Sequence, residues 1–192
     1  MRTFVTPFQV NAKSGLCQQA HFIKSPNSDR RPDDTQPQLI VVHGISLPPN
    51  QFGGEAITQL FTNQLDPEED PYFEKIKNLK VSAHALIRRD GSLIQYVPFH
   101  ERAWHAGLSE FQGREGCNDF SIGIELEGTD DTCYSAEQYQ TLSLLVKGLW
   151  NAYPSLHEKH VVGHCDIAPG RKTDPGEFFQ WSALNRLLEN KA

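Results

Sequence analysis

His43 and His164, together with a carboxylate from GHCDIAPGRKTDPG (163–176), are the residues of this chain best suited to chemistry. Two imidazoles and one carboxylate, Asp166 or Asp174, make the ligand set of a catalytic zinc ion that keeps a fourth position open for water. Each histidine ends an apolar run, LIVVH (39–43) or HVVGH (160–164), that delivers it to a loop-rich edge. His160 and His164 stand at i, i+4, but that spacing serves one metal only on a helix. HVVGH has the composition of a strand, where four residues span roughly 13 Å, so only one of the pair can be a ligand. No HExxH occurs, which disfavours that protease class.

Glu125 and Glu127 share one face of the apolar run FSIGIELEG. A carboxylate there is costly unless paired or functional, so one of them is a general-base candidate. Lys172 stands two residues before Asp174; in an extended stretch both side chains lie on one face, where an ammonium can donate to a developing oxyanion. A turn-forming Asp174 and a solvated Lys172 are the plainer readings of the same residues. The remaining histidines are weaker candidates. His21, His100 and His157 lie in polar segments, and His84 reads as a hydrogen-bonded core histidine or a ligand's partner. His105, in AWHAG, reads equally as a cleft or a surface residue.

These residues need elements to position them. LIVVH predicts a strand buried on both faces, and the loop ISLPPNQFGG that follows leads to a helix over EAITQLFTNQL. VSAHALIRRDGSLIQYVP predicts a hairpin turning at Asp90-Gly91. Ser135 and Gln138 form a capping box for a long helix with the stripe Tyr139, Leu142, Val146, Leu149 and Tyr153, and Pro154 stops it. HVVGH is a short strand and FFQWSALNRLLEN a closing amphipathic helix. The expected fold is α/β (α+β): a single domain with a central mixed β-sheet flanked by helices and the site beyond the strand ends. Residues 1–37, polar and turn-rich, are expected to form an N-terminal arm or loop, and residues 38–190 the catalytic domain.

A chain of 192 residues with 38% hydrophobic content can bury roughly two thirds of its unfolded surface as one domain. The net charge of −6, with no basic cluster larger than a pair, argues against nucleic acid as a ligand. No signal-peptide pattern or spanning apolar stretch occurs, so no membrane attachment is expected. Cys17, Cys117, Cys133 and Cys165 are too scattered for a disulfide framework, and reduced thiols in the cytoplasm are the expectation.

The blocks RPDD, VVHGISLPPNQFGG, VSAHALIRRDGSLIQYVPF, RAWHAG, QGREGCNDFSIGIELEGTD and GHCDIAPGRKTDPG carry a resemblance from about Pro26 to Trp181. The chain resembles the zinc N-acetylmuramoyl-L-alanine amidases, which share a fold with peptidoglycan-recognition proteins. More closely it is similar to their AmpD-like branch, cytoplasmic enzymes acting on the 1,6-anhydro sugar. The resemblance implies zinc ligands His43, His164 and Asp174, a proton acceptor Glu125 and a transition-state stabiliser Lys172. It also implies sugar contact by Trp104 and a cation, Lys80, facing the peptide's distal carboxylate. The implied substrate is an anhydro-muropeptide, split between its lactyl group and L-alanine during peptidoglycan recycling. Zinc is the only cofactor implied, and no obligate protein partner is evident.

Three departures stand out: Gly44 where the family often has Asn, Gly116 where it often has Arg, and Ala83 where phage and animal amidases carry Tyr. Two rival functions are a non-catalytic peptidoglycan-fragment binder on the same fold and an exported wall-remodelling amidase. The presence of all ligand, base and lysine positions opposes the first, and the missing signal pattern opposes the second.

Overall fold

The computed structural model describes residues 6–189; residues 1–5 of the expected arm and residue 190 of the expected domain lie outside it. Its framework is a six-stranded sheet built from β1 (His21–Phe22), β2 (Leu39–Ile45), β3 (Ala85–Ile87), β4 (Leu93–Gln95), β5 (Ser121–Glu127) and β6 (Val161–Gly163). The spatial order is β6-β2-β5-β3-β4-β1. All neighbours run parallel except the β3–β4 hairpin, which makes the sheet mixed, as the sequence implied.

Alternation along the strands divides the two faces. Ile40, Val42, Ile122, Ile124 and Leu126 pack against Leu142, Leu145, Val146 and Leu149 of the long helix α3 (Ala136–Ala152), with Leu184 of the closing helix α5 (Trp181–Glu189) beside them. On the other face, Leu39 and Val41 meet Phe120 and Ile167. Leu86 and Ile94 meet Ile57, Leu60 and Phe61 of α1 (Ala56–Phe61) and Phe73 of α2 (Pro71–Ile76). This second face carries His43 at the fifth position of β2.

Helix α3 starts at the capping box read from the sequence. Ser135 Oγ accepts the Gln138 N–H at 3.1 Å, and Gln138 Oε1 accepts the Ser135 N–H at 3.0 Å. The same glutamine donates to the Ile87 and Glu127 carbonyls, tying the helix to β3 and β5. Ser135→Ala should therefore cost about 1 kcal/mol. A thermal scan should find the midpoint roughly 2–4 °C lower, and an unchanged midpoint would deny the cap that role.

Other boundaries moved for local reasons. Helix α1 ends at Phe61, short of the expected Leu65, because Asn63 takes φ +59°, the left-handed conformation that stops a helix. Helix α2 was not expected, although Asp70 caps it through the Tyr72 N–H at 2.7 Å and Pro71 begins it. The closing helix starts at Trp181, three residues after Phe178, because Tyr139 Oη takes the Gln180 N–H and Phe179 packs against Tyr134 and Tyr139.

Residues 6–37 do more than cross the surface. Strand β1 completes the sheet edge, and Ser25, Asn27 and Arg31 are buried. Asn27 donates to the Val81 carbonyl at 2.7 Å. The Arg31 guanidinium donates to the carbonyls of Phe99, Asn118, Asp119 and Ser121, and burial lowers its pKa to about 10.

Candidate metal centre and cleft

The site forms where three parallel strands end, the usual place for a site in such sheets. In the β2–β5 register His43 faces Glu125, so both side chains leave the same face. Strand β6 stops at Gly163, and His164 opens the short helix α4 (His164–Ile167) beside them. Asp174 arrives on the following loop, whose carbonyl at Asp174 accepts the Cys165 N–H.

His43 Nδ1 and His164 Nδ1 lie 3.0 Å apart, and each is 3.1 Å from Asp174 Oδ2. Ligand atoms on a zinc tetrahedron with bonds of ~2.0–2.1 Å stand about 3.3 Å apart, so the triangle needs little adjustment to take an ion. The donor chemistry agrees. His164 Nε2 is 3.1 Å from the Ala106 carbonyl, which requires its N–H there and leaves the Nδ1 lone pair facing inward. Burial lowers the pKa of His43 despite the adjacent Asp174 carboxylate. Burial also opposes ionisation of Asp174, but the two imidazoles against its Oδ2, His164 and His43, outweigh it and hold the carboxyl well below its usual range. Neutral imidazoles and an ionised carboxylate are the states that bind metal.

The paired glutamates separate here. Glu127 is satisfied: its Oε1 accepts the Gly53 N–H at 2.5 Å and its Oε2 the Arg89 N–H at 3.2 Å. Glu125 lines the cleft, and its buried Oε2 has no partner. Burial, and then the Asp174 carboxylate, raise its pKa well above the ordinary value, while Lys172 pulls the other way. The two aspartates separate similarly, because Asp166 Oδ2 accepts the Gly163 N–H at 2.7 Å and has a structural partner.

Lys172 and Asp174 both line the cleft, whereas Thr173 between them does not, in keeping with the extended spacing. His160 lies elsewhere, against Phe111 and the Gln38 carbonyl. His84 is a fully buried, hydrogen-bonded histidine taking the Gly123 N–H on Nδ1. Burial and the nearby Arg31 hold its pKa well below the usual value.

The cleft has a volume of about 570 Å³, enough for a fragment of drug size or larger. Leu47, Leu60, Phe61, Ile76 and Leu79 contribute apolar lining, and Asp130 and Asp131 contribute carboxylates. Lys80 is exposed between the lining residues Leu79 and Val81, and it does not itself line the cleft. Trp104 is also outside the lining; its Nε1–H donates to Asp29 at 3.4 Å and its backbone N–H to Ser82, which is in the lining. His105, undecided from sequence, lines the cleft against His43.

Two of the sequence departures have local causes. A Cβ on Gly44 would lie 2.3 Å from Tyr134 Oη, which donates to the Pro175 carbonyl just after Asp174. The space of a larger residue at position 44 is thus filled by the tyrosine. Gly116 has φ +72°, a conformation that an arginine would adopt only with strain.

A family model described as N-acetylmuramoyl-L-alanine amidase matches residues 33–177. The 1,6-anhydro-N-acetylmuramyl-L-alanine amidase AmpD of Escherichia coli K12 is 56% identical over 172 residues, covering 90% of this chain and 93% of that protein. A crystal structure of a selenomethionine AmpD derivative superposes with a TM-score of 0.89 at 55% identity, over 91% of this chain and 97% of that one. The amidase AmiD of E. coli was solved with the substrate anhydro-N-acetylmuramic acid-L-Ala-D-γ-Glu-L-Lys. It matches with a TM-score of 0.58 at 29% identity, over 79% of this chain and 57% of that one.

Proposed function

The chain belongs to the N-acetylmuramoyl-L-alanine amidase family, in its AmpD-type branch, and on that premise we propose that it is a zinc enzyme of cytoplasmic peptidoglycan recycling. Its reaction is hydrolysis of the amide between the lactyl group of 1,6-anhydro-N-acetylmuramic acid and L-alanine. One observation carries the reading: three inward-facing ligand atoms within 3.0–3.1 Å of each other share a cleft with the unpartnered carboxyl of Glu125.

His43, His164 and Asp174 would hold the zinc, which when bound would supply a Lewis acid and bring the pKa of water toward ~7. Glu125 takes a proton from the attacking water and returns it to the departing L-alanine nitrogen, so its carboxyl ends the cycle as it began. Burial, which raises its pKa, makes it a stronger base toward water than an exposed glutamate would be. Lys172 donates to the carbonyl oxygen as negative charge builds there. The apolar lining residues Leu47, Leu60, Phe61, Ile76 and Leu79 offer the substrate a surface of low polarity beside the metal centre. Trp104 and Lys80, each adjacent in sequence to a lining residue, are assigned contact with the sugar and with the distal carboxylate respectively.

The substrate assignment predicts a sharp preference. Incubated with soluble anhydro-muropeptide, the protein should release free peptide and anhydro-sugar, detected by mass spectrometry. Intact sacculi should remain undigested. Release of peptide from sacculi at a comparable rate would instead assign the protein to wall remodelling.

A further inference from the structure

His105 lies between the metal centre and strand β5, and neither the ligand set nor the proton carriers use it. Its Nδ1 is 2.9 Å from His43 Nε2, and its own Nε2 is 3.0 Å from Ser121 Oγ. These contacts run in one direction only once His43 Nδ1 is a ligand. A neutral imidazole carries a single N–H; with Nδ1 facing Asp174 and His164, that hydrogen sits on Nε2 and is donated to His105 Nδ1. His105 must then carry its own hydrogen on Nε2 and donate it to Ser121 Oγ.

The neighbouring residue performs the same service for the other imidazole, since the Ala106 carbonyl accepts the His164 Nε2–H. Both residues are anchored. Asn118 Oδ1 accepts the backbone N–H of His105 at 3.1 Å and of Ala106 at 2.8 Å, and Arg171 donates to the Ala106 carbonyl at 2.7 Å.

A further observation comes from the strand beneath. Glycine in a strand interior gives up packing and entropy, and it often marks a close approach from outside the strand. Gly123 is in the middle of β5, and a Cβ there would lie 2.4 Å from His105 Cγ and 2.5 Å from Nδ1. The imidazole thus rests directly on the glycine backbone, in a seat that any side chain would fill.

We infer that His105, seated on Gly123 and oriented by Ser121, is a positioning residue that fixes the tautomer and ring orientation of His43 and thereby sets the zinc affinity of the centre. The inference rests on the zinc reading given above. Partners that orient a ligand in this way typically govern affinity by about 10–100-fold.

The test is zinc affinity, measured by competition with a chelator of known strength, on the wild type, His105→Leu and His105→Asn. Leucine removes the acceptor for His43 Nε2–H; asparagine can place Oδ1 where Nδ1 was. His105→Leu should bind zinc about 10–100-fold more weakly, and His105→Asn should recover most of that loss. Equal affinity in the wild type and the leucine variant, or equal loss in both variants, overturns the inference while leaving the zinc reading intact. A wild type that takes up no zinc overturns the zinc reading itself. Should the leucine variant fail to fold, long-range ¹H–¹⁵N spectra of the zinc-loaded wild type decide the matter. They should show the His105 hydrogen on Nε2, leaving its Nδ1 to accept from His43, and a hydrogen on His105 Nδ1 overturns the proposal.

Discussion

Glu125→Gln should lower kcat by about 10²–10⁴-fold while the protein still binds zinc as the wild type does. Glutamine keeps the shape of the side chain but can neither take a proton from water nor carry one to the leaving amine. The expected split between kcat and zinc content follows from position. Glu125 shares the face of His43 across the β2–β5 register but is not one of the three converging ligand residues. Purified variant and wild type would be compared by steady-state hydrolysis of anhydro-muropeptide and by metal analysis. Near-normal turnover would remove Glu125 from the mechanism. Glu127→Gln makes an instructive companion, because Glu127 accepts the Gly53 and Arg89 N–H groups, so its loss should lower stability more than turnover.

The second large effect is on the metal. Treatment with a strong chelator should abolish hydrolysis, and zinc should restore it where magnesium does not, since imidazoles suit zinc and magnesium prefers an all-oxygen shell. Asp174→Ala should reproduce the chelated state permanently. Without the carboxylate, two Nδ1 atoms 3.0 Å apart remain, and the ligand set has lost its one anionic member. Activity near the uncatalysed background is expected in both cases. Full turnover by metal-free protein would dismiss the zinc mechanism altogether.

Much of this molecule was legible before folding was considered. The capping box of Ser135 and Gln138, the turn at Asp90-Gly91 and the stripe of α3 lie within a few residues of chain, and all three appear in the structure. The mixed sheet followed from the same local signals. The expectation for HVVGH held in its essential point, since Val161–Gly163 form the strand and His160 and His164 point to different surroundings. Residues 6–37 read as polar and turn-rich, and their composition hid the fact that Asn27 and Arg31 serve as buried donors to distant carbonyls. A side chain whose partners lie tens of residues away leaves no pattern in its own neighbourhood.

The same distinction governs the site. Residue types alone determined that this chain carries two candidate imidazole ligands at strand ends, paired carboxylates on one strand and a lysine beside an aspartate. They did so because hydrophobic period and turn chemistry are local properties. Choosing between equals was beyond them, and family resemblance made the choices. Tertiary structure supplied the physical grounds: Glu127 and Asp166 find backbone N–H partners, while Glu125 faces the cleft unpartnered and Asp174 meets both imidazoles. It also placed His105 on Gly123 and filled the space beside Gly44 with Tyr134. Those outcomes depend on strand register and on loops meeting across the sheet, contacts made by residues far apart in the chain, and only the folded molecule brings them together.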